Sequence, residues 1–117
     1  VNKIDVHFTR FTKGDNWTEG DVGPYHFHAK LFDQGSTYGI NFGRVSKLSV
    51  YTDDASKTGN YGFDHMIVNY DRGWDIKVPR TKGVRAHFNA LMKFLESAPP
   101  LFEDELVWVA SKVIENV

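Results

Sequence analysis

The sequence predicts an α+β fold, an antiparallel sheet of about five strands packed by two C-terminal helices. Three observations predict it. Apolar and polar residues alternate with a period of two through the first two thirds of the chain. Short glycine-containing punctuation separates the alternating runs, which favours antiparallel neighbours over crossover connections. After Pro79 the apolar period changes to that of a helix.

The first strand is expected over 4–11, where Ile4, Val6 and Phe8 alternate with Asp5, His7 and Thr9. A second run, 25–32, places Tyr25, Phe27, Ala29 and Leu31 on one face and His26, His28, Lys30 and Phe32 on the other. Further strands are expected at 43–52, 63–70 and, more briefly, 74–78. Gly14, Gly20, Gly23, Gly35 and Gly39 mark turns or bulges, and the polar stretch 52–62 reads as a mobile loop. Tyr70-Asp71-Arg72-Gly73 has tight-turn chemistry, with Gly73 free to take a positive φ. Over 84–97, Val84, Phe88, Leu91, Met92 and Leu95 form one helical stripe, which Pro99-Pro100 stops. A second helix is expected at about 102–116. It opens on Glu103, Asp104 and Glu105, acids suited to a helix N-terminus, and its stripe is Phe102, Leu106, Val109, Ala110, Val113 and Val117.

The 117 residues are one domain's worth, with a core at about 17–97 and a helical extension at about 101–117. Fourteen Lys and Arg against 15 Asp and Glu give a net charge of -1, which excludes a strongly basic nucleic-acid coat and an extreme acidic mimic. That average hides a division: residues 1–95 carry 13 basic and 10 acidic groups, and residues 96–117 carry one and five. With no Cys there is no disulfide, thiolate metal site or cysteine nucleophile. Neither an apolar run of the ~20 residues that span a bilayer nor a signal-peptide pattern is present, so a soluble, cytoplasmic protein is expected.

The blocks WTEG (17–20), YHFHAKLF (25–32), GSTYGI (35–40), GRVSKL (43–48) and VNYDRGWD (68–75) together resemble a family of small uncharacterised domains. Phages, prophages and mobile elements of Gram-positive bacteria encode that family. The resemblance implies a compact sheet-plus-helix module of mobile-element origin. It implies no activity, because the family has no assigned catalytic or binding residues.

Among candidate site residues, His26 and His28 stand two apart on a strand, so both rings project from one face and two nitrogens could meet one metal. With Gly20 ahead and Asp33 behind, the stretch is similar to the first metal motif of cupin barrels. The second motif is missing: Gly73, Pro79, Gly83 and His87 occur in order but at other spacings. The alternative is two half-exposed polar residues on the outer face of a strand. His7-Phe8-Thr9 resembles one half of the paired signature of the two-histidine phosphoesterases, and the chain has no second copy.

Asp71, Arg72 and Trp74 could present a hairpin tip to a partner, or could simply build the turn, with Trp74 packed beneath it. Lys77, Arg80, Lys82 and Arg85 flank a helix start with no acid among them, which suits phosphate or an acidic partner, or else a solvated positive face. Arg44 and Lys47 are read as pointing outward from a strand. Trp108 falls on the polar side of the second helix, where it marks an interface or tucks against a neighbour.

No complete catalytic set emerges, so neither an enzyme nor a cofactor is expected. The leading expectation is a phage or mobile-element accessory protein that binds a macromolecule, foremost a protein, as an anti-CRISPR-like inhibitor of bacterial defence would. Lys77, Arg80, Lys82, Arg85 and Trp108 are its expected contacts, and two copies could meet as a homodimer through the C-terminal helix. The alternative is nucleic-acid or nucleotide binding through 77–93 with Tyr70 or Trp74 as stacking platforms. A third reading is a metal-dependent enzyme using His26 and His28.

Overall fold

The computed structural model describes residues 2–12, 16–97 and 111–116. Seven strands form one sheet: β1 (Asn2–Thr12), β2 (Trp17–Val22), β3 (Tyr25–Leu31), β4 (Val45–Tyr51), β5 (Met66–Asp71), β6 (Trp74–Ile76) and β7 (Ser111–Asn116). Helix α1 (Asp53–Thr58) follows β4, and α2 (Lys82–Glu96) follows β6. The order across the sheet is β6-β5-β4-β3-β2-β1-β7, a meander whose last strand returns beside its first. Every neighbouring pair is antiparallel. No helix among the described residues is long and apolar enough to cross a membrane.

The expected α+β architecture is present, with three differences in its elements. Residues 17–22 are a strand although Gly20 suggests a turn. Thr18, Gly20 and Val22 are buried on one face and Trp17, Glu19 and Asp21 point to the other, so a small residue keeps the period of two. Residues 111–116 form strand β7 where the end of the second helix is expected, so that part of the expectation is corrected. β7 pairs with β1, Ile4 opposite Ile114, and so satisfies backbone groups that an open β1 edge would leave unpaired. The start of that expected helix, with Trp108, lies outside the described residues, as does the side chain of His7. The stretch expected to be a mobile loop holds α1, closed by Gly59 at φ 74° and supported by a Lys57–Asp53 pair at 2.8 Å.

The two faces of the sheet differ in what covers them. On one, Val6, Val22, Phe27, Ala29, Leu48, Val50 and Val68 meet Ala90, Leu91, Phe94 and Leu95 of α2 in a single apolar cluster. The helix stripe therefore centres one position round from the expected one: Val84, Phe88 and Met92 are only partly buried. Arg44 fixes the end of α2. Its backbone N–H donates to both Glu96 carboxylate oxygens, at 3.1 and 2.9 Å, and its Nη1 donates to the Glu96 carbonyl at 3.1 Å. Its Nε donates to the Phe32 carbonyl at 2.7 Å, so Arg44 is a structural tie and not the outward-pointing cation the sequence suggests. A Cβ at Gly43 would meet the Glu96 carboxylate and force it to shift from this tie.

On the opposite face, cross-strand pairing sets three polar rows side by side: Asp21–His26–Tyr51, Glu19–His28–Ser49–Asn69 and Trp17–Lys30–Lys47–Asp71. After α1, whose Ala55 is fully buried, the chain brings Tyr61 over the first two rows.

Candidate metal centre

The β2–β3 hairpin builds the site. Val22 pairs with Tyr25 across Gly23 and Pro24, and Gly23 takes φ 57°, as the first position of a tight hairpin turn requires. A Cβ there would also strike the His87 ring, which packs edge-on against Tyr25 at 5.1 Å. This turn fixes the register, which sets Asp21 opposite His26 and Glu19 opposite His28. Two carboxylates and two imidazoles are thus adjacent on the face away from α2.

His26 is buried, at 6% exposure, and His28 is half-buried. His28 is thus the half-exposed outer-face residue that one sequence reading expects, whereas His26 is more buried than that reading has it, with Tyr61 packed against it. The two imidazole rings stand edge-on at 5.1 Å, and Tyr61 lies 5.0 Å from the first and 5.2 Å from the second. Tyr51 packs 5.2 Å from His28 and 5.1 Å from Tyr61.

The polar atoms converge. His26 Nδ1 lies 2.9 Å from Asp21 Oδ1, which leaves Nε2 facing Glu19 Oε2 at 3.8 Å. His28 Nε2 lies 2.8 Å from the same Glu19 oxygen. That approach is short but poorly aligned, and the nitrogen is buried without a hydrogen-bond partner. One ligand atom from each of Glu19, His26 and His28 falls within 4.8 Å of the other two. Burial pushes the His28 imidazole below its usual 6.5, and the His26 ring adds to that, while Glu19 pulls the other way. The neutral imidazole is the form that ligates a metal.

This is a two-histidine, one-carboxylate donor set, which suits zinc and other divalent first-row ions and leaves coordination positions open. Asp21 holds His26 through its second ring nitrogen, the arrangement that orients a metal-binding imidazole. The sequence singles out His26 and His28 but not Glu19, Asp21 or Tyr61. The signal for the two acids is their alternation just before a two-residue turn, and it is obscured when Gly20 is taken as punctuation.

The other expected site residues are dispersed. Lys77, Arg80 and Arg85 are exposed along the stretch from the end of β6 into α2, and the Lys82 side chain lies outside the described residues. Tyr70 is 7% exposed and donates its hydroxyl to the Tyr38 carbonyl at 2.8 Å, so it offers no stacking face. Trp74 packs on Tyr70 at 4.9 Å and leans on Phe88 at 5.9 Å, which is the turn-building role. At the same hairpin Arg72, not Gly73, takes the positive φ, at 57°. Its N–H donates to the Ser46 carbonyl at 3.0 Å, and that bond holds the tip against β4.

No curated protein and no solved structure matches the chain. A family model does match, over residues 16–96, from just before β2 to the last residue of α2. All of the candidate metal centre lies inside that span, and the chain belongs to the family described as a domain of unknown function, DUF7678.

Proposed function

We propose that this domain binds one divalent first-row transition ion, zinc foremost, through His26 Nε2, His28 Nε2 and a Glu19 carboxylate oxygen. The observation that carries the reading is the convergence of one ligand atom from each of Glu19, His26 and His28 within 4.8 Å of one another. A carboxylate and two imidazoles without a metal would gain more from in-line hydrogen bonds than from this crowding around one oxygen. Asp21 acts as the orienting partner of His26, and Tyr51 and Tyr61 limit the access of water. Protein stripped with EDTA and titrated with zinc should take up one ion per chain. At zinc about a hundredfold above Kd the fold should gain about 2.7 kcal/mol. Glu19→Gln and His28→Asn should each abolish most of that gain while leaving the circular dichroism unchanged. Zinc uptake that is undiminished in both variants contradicts the reading.

A second reading is a macromolecule-binding accessory protein of a phage or mobile element directed against bacterial defence, and a different feature favours its binding part alone. Phe42 is 76% exposed and Asn41 and Phe42 both hold left-handed backbones, at φ 52° and 59°. A strained turn that presents an aromatic ring to solvent suits a protein contact. A tagged chain should retain a bacterial partner that is lost with Phe42→Ser and kept with Lys57→Ser.

A further inference from the structure

Beside the histidine rows, the third polar row of the open face runs into a groove of about 770 Å³. Its volume lies in the range of small-ligand sites. Lys30, Lys47 and Arg72 line it together with Phe32, Tyr38 and Asp33. Three cations, one carboxylate and two aromatic rings thus share the lining, and Asp71 lies against two of the cations. None of these residues is a candidate metal ligand.

The walls are held in place. Phe32 donates its N–H to the Arg44 carbonyl at 2.9 Å and accepts from Arg44 Nε at 2.7 Å, yet its ring is 39% exposed. Tyr38 is 61% exposed, and its carbonyl is fixed by the Tyr70 hydroxyl at 2.8 Å. Lys30 Nζ sits 5.8 Å from the Phe32 ring and 5.9 Å from the Trp17 ring, a cation held between two π-faces.

The cations on the other side are only loosely neutralised. Lys47 Nζ is 3.6 Å and Arg72 Nε 3.4 Å from the same Asp71 oxygen, and all three side chains are substantially exposed. Such surface pairs are weak and readily exchange for a better anion. Arg72 also stands in the left-handed region, where a glycine would be unstrained and where Gly73 is the next residue. Its side chain nevertheless lines the groove.

From this pairing we infer that the groove binds a nucleotide, with Lys47 and Arg72 on its phosphate and the base laid against Phe32 and Tyr38. Exposed rings beside guanidinium and ammonium groups are what a π-faced anion requires. An acidic peptide would satisfy the cations and leave both rings in water. A free mononucleotide and a residue of a single strand share this chemistry. The inference goes beyond the metal reading and stands on different residues.

The test is a binding titration in EDTA, so that failure of the metal site does not affect it. Its probes are ATP, oligothymidylate and a glutamate-rich peptide. ATP or oligothymidylate should bind, and Lys47→Ala and Arg72→Gly should each weaken binding about tenfold or more, the loss of one charge-assisted contact. Arg72→Gly is the cleaner variant, because its backbone already suits glycine and circular dichroism should show an intact fold. Binding of ATP alone assigns the groove to free nucleotides, and binding of oligothymidylate alone assigns it to single strands. The inference is overturned if neither nucleotide binds up to about 1 mM, if both variants bind as the parent does, or if the peptide binds as tightly.

Discussion

The side of the sheet turned to α2 is filled by Val22, Phe27, Ala29, Leu48, Val50 and Val68, each 4% exposed or less. The opposite side of the same strands carries Glu19, Asp21, His26, His28, Ser49 and Asn69. Side chains alternate along each strand, so one backbone serves both faces, and a residue's neighbours in sequence say little about its surroundings in space. Phe27 lies between His26 and His28 in sequence and packs in the apolar cluster on the opposite face of the sheet. The apolar face needs a helix to exclude water. The polar face, turned away from α2, instead carries cross-strand pairs of ionisable groups, which suits it to a ligand.

The largest test of this contrast is Phe27→Ala. It removes a fully buried ring and should cost about 3–5 kcal/mol of stability in a urea titration. A loss below about 1 kcal/mol would mean that the α2 face is not the core. On the other face the expected outcome is reversed. His28→Asn should change the stability of the metal-free chain by no more than about 1 kcal/mol, yet should remove most of its zinc affinity. Asp21→Asn, which removes the carboxylate beside His26 Nδ1, should lower zinc affinity about 10–100-fold and leave one ion bound per chain. An Asp21 variant that binds zinc as the parent does would separate that carboxylate from the metal centre.

The smallest expected effect concerns acid. Burial lowers the His28 imidazole below 6.5, so the unfolded chain takes up that proton at a higher pH than the folded one. The metal-free fold keeps this contribution above about pH 6.5 and loses it as pH falls through the lower, folded value. His28→Asn should therefore flatten the decline in stability below pH 6.5. Identical slopes for the two proteins would place the titration elsewhere.

Much of the apolar face is legible in the sequence, because alternation and the helical stripe are local signals. Ile4, Val6, Phe27, Ala29, Leu48 and Leu91 are all assigned to strands or to a helix by period alone. The strand at Trp17–Val22 is not, since Gly20 interrupts its apolar pattern with the smallest residue. Short apolar runs are ambiguous too: Val113 satisfies a helical stripe on paper but pairs with β1, because closing the open edge of the sheet outweighs the local pattern. The site is half legible for the same reason. Two histidines on one strand declare a shared face, whereas Glu19 joins them only through hairpin register and Tyr61 only through the path of the chain after α1. Neither contact is written at any single position.

A cobalt(II) titration of the EDTA-stripped protein probes the metal centre itself, because the ion's visible spectrum reports its ligands as well as its binding. One equivalent should produce ligand-field bands of a low-coordinate nitrogen and oxygen site, bleached by added zinc. His28→Asn and Glu19→Gln should each lose those bands. A spectrum no different from that of the hydrated ion, or bands that survive in both variants, would contradict a metal centre at Glu19, His26 and His28.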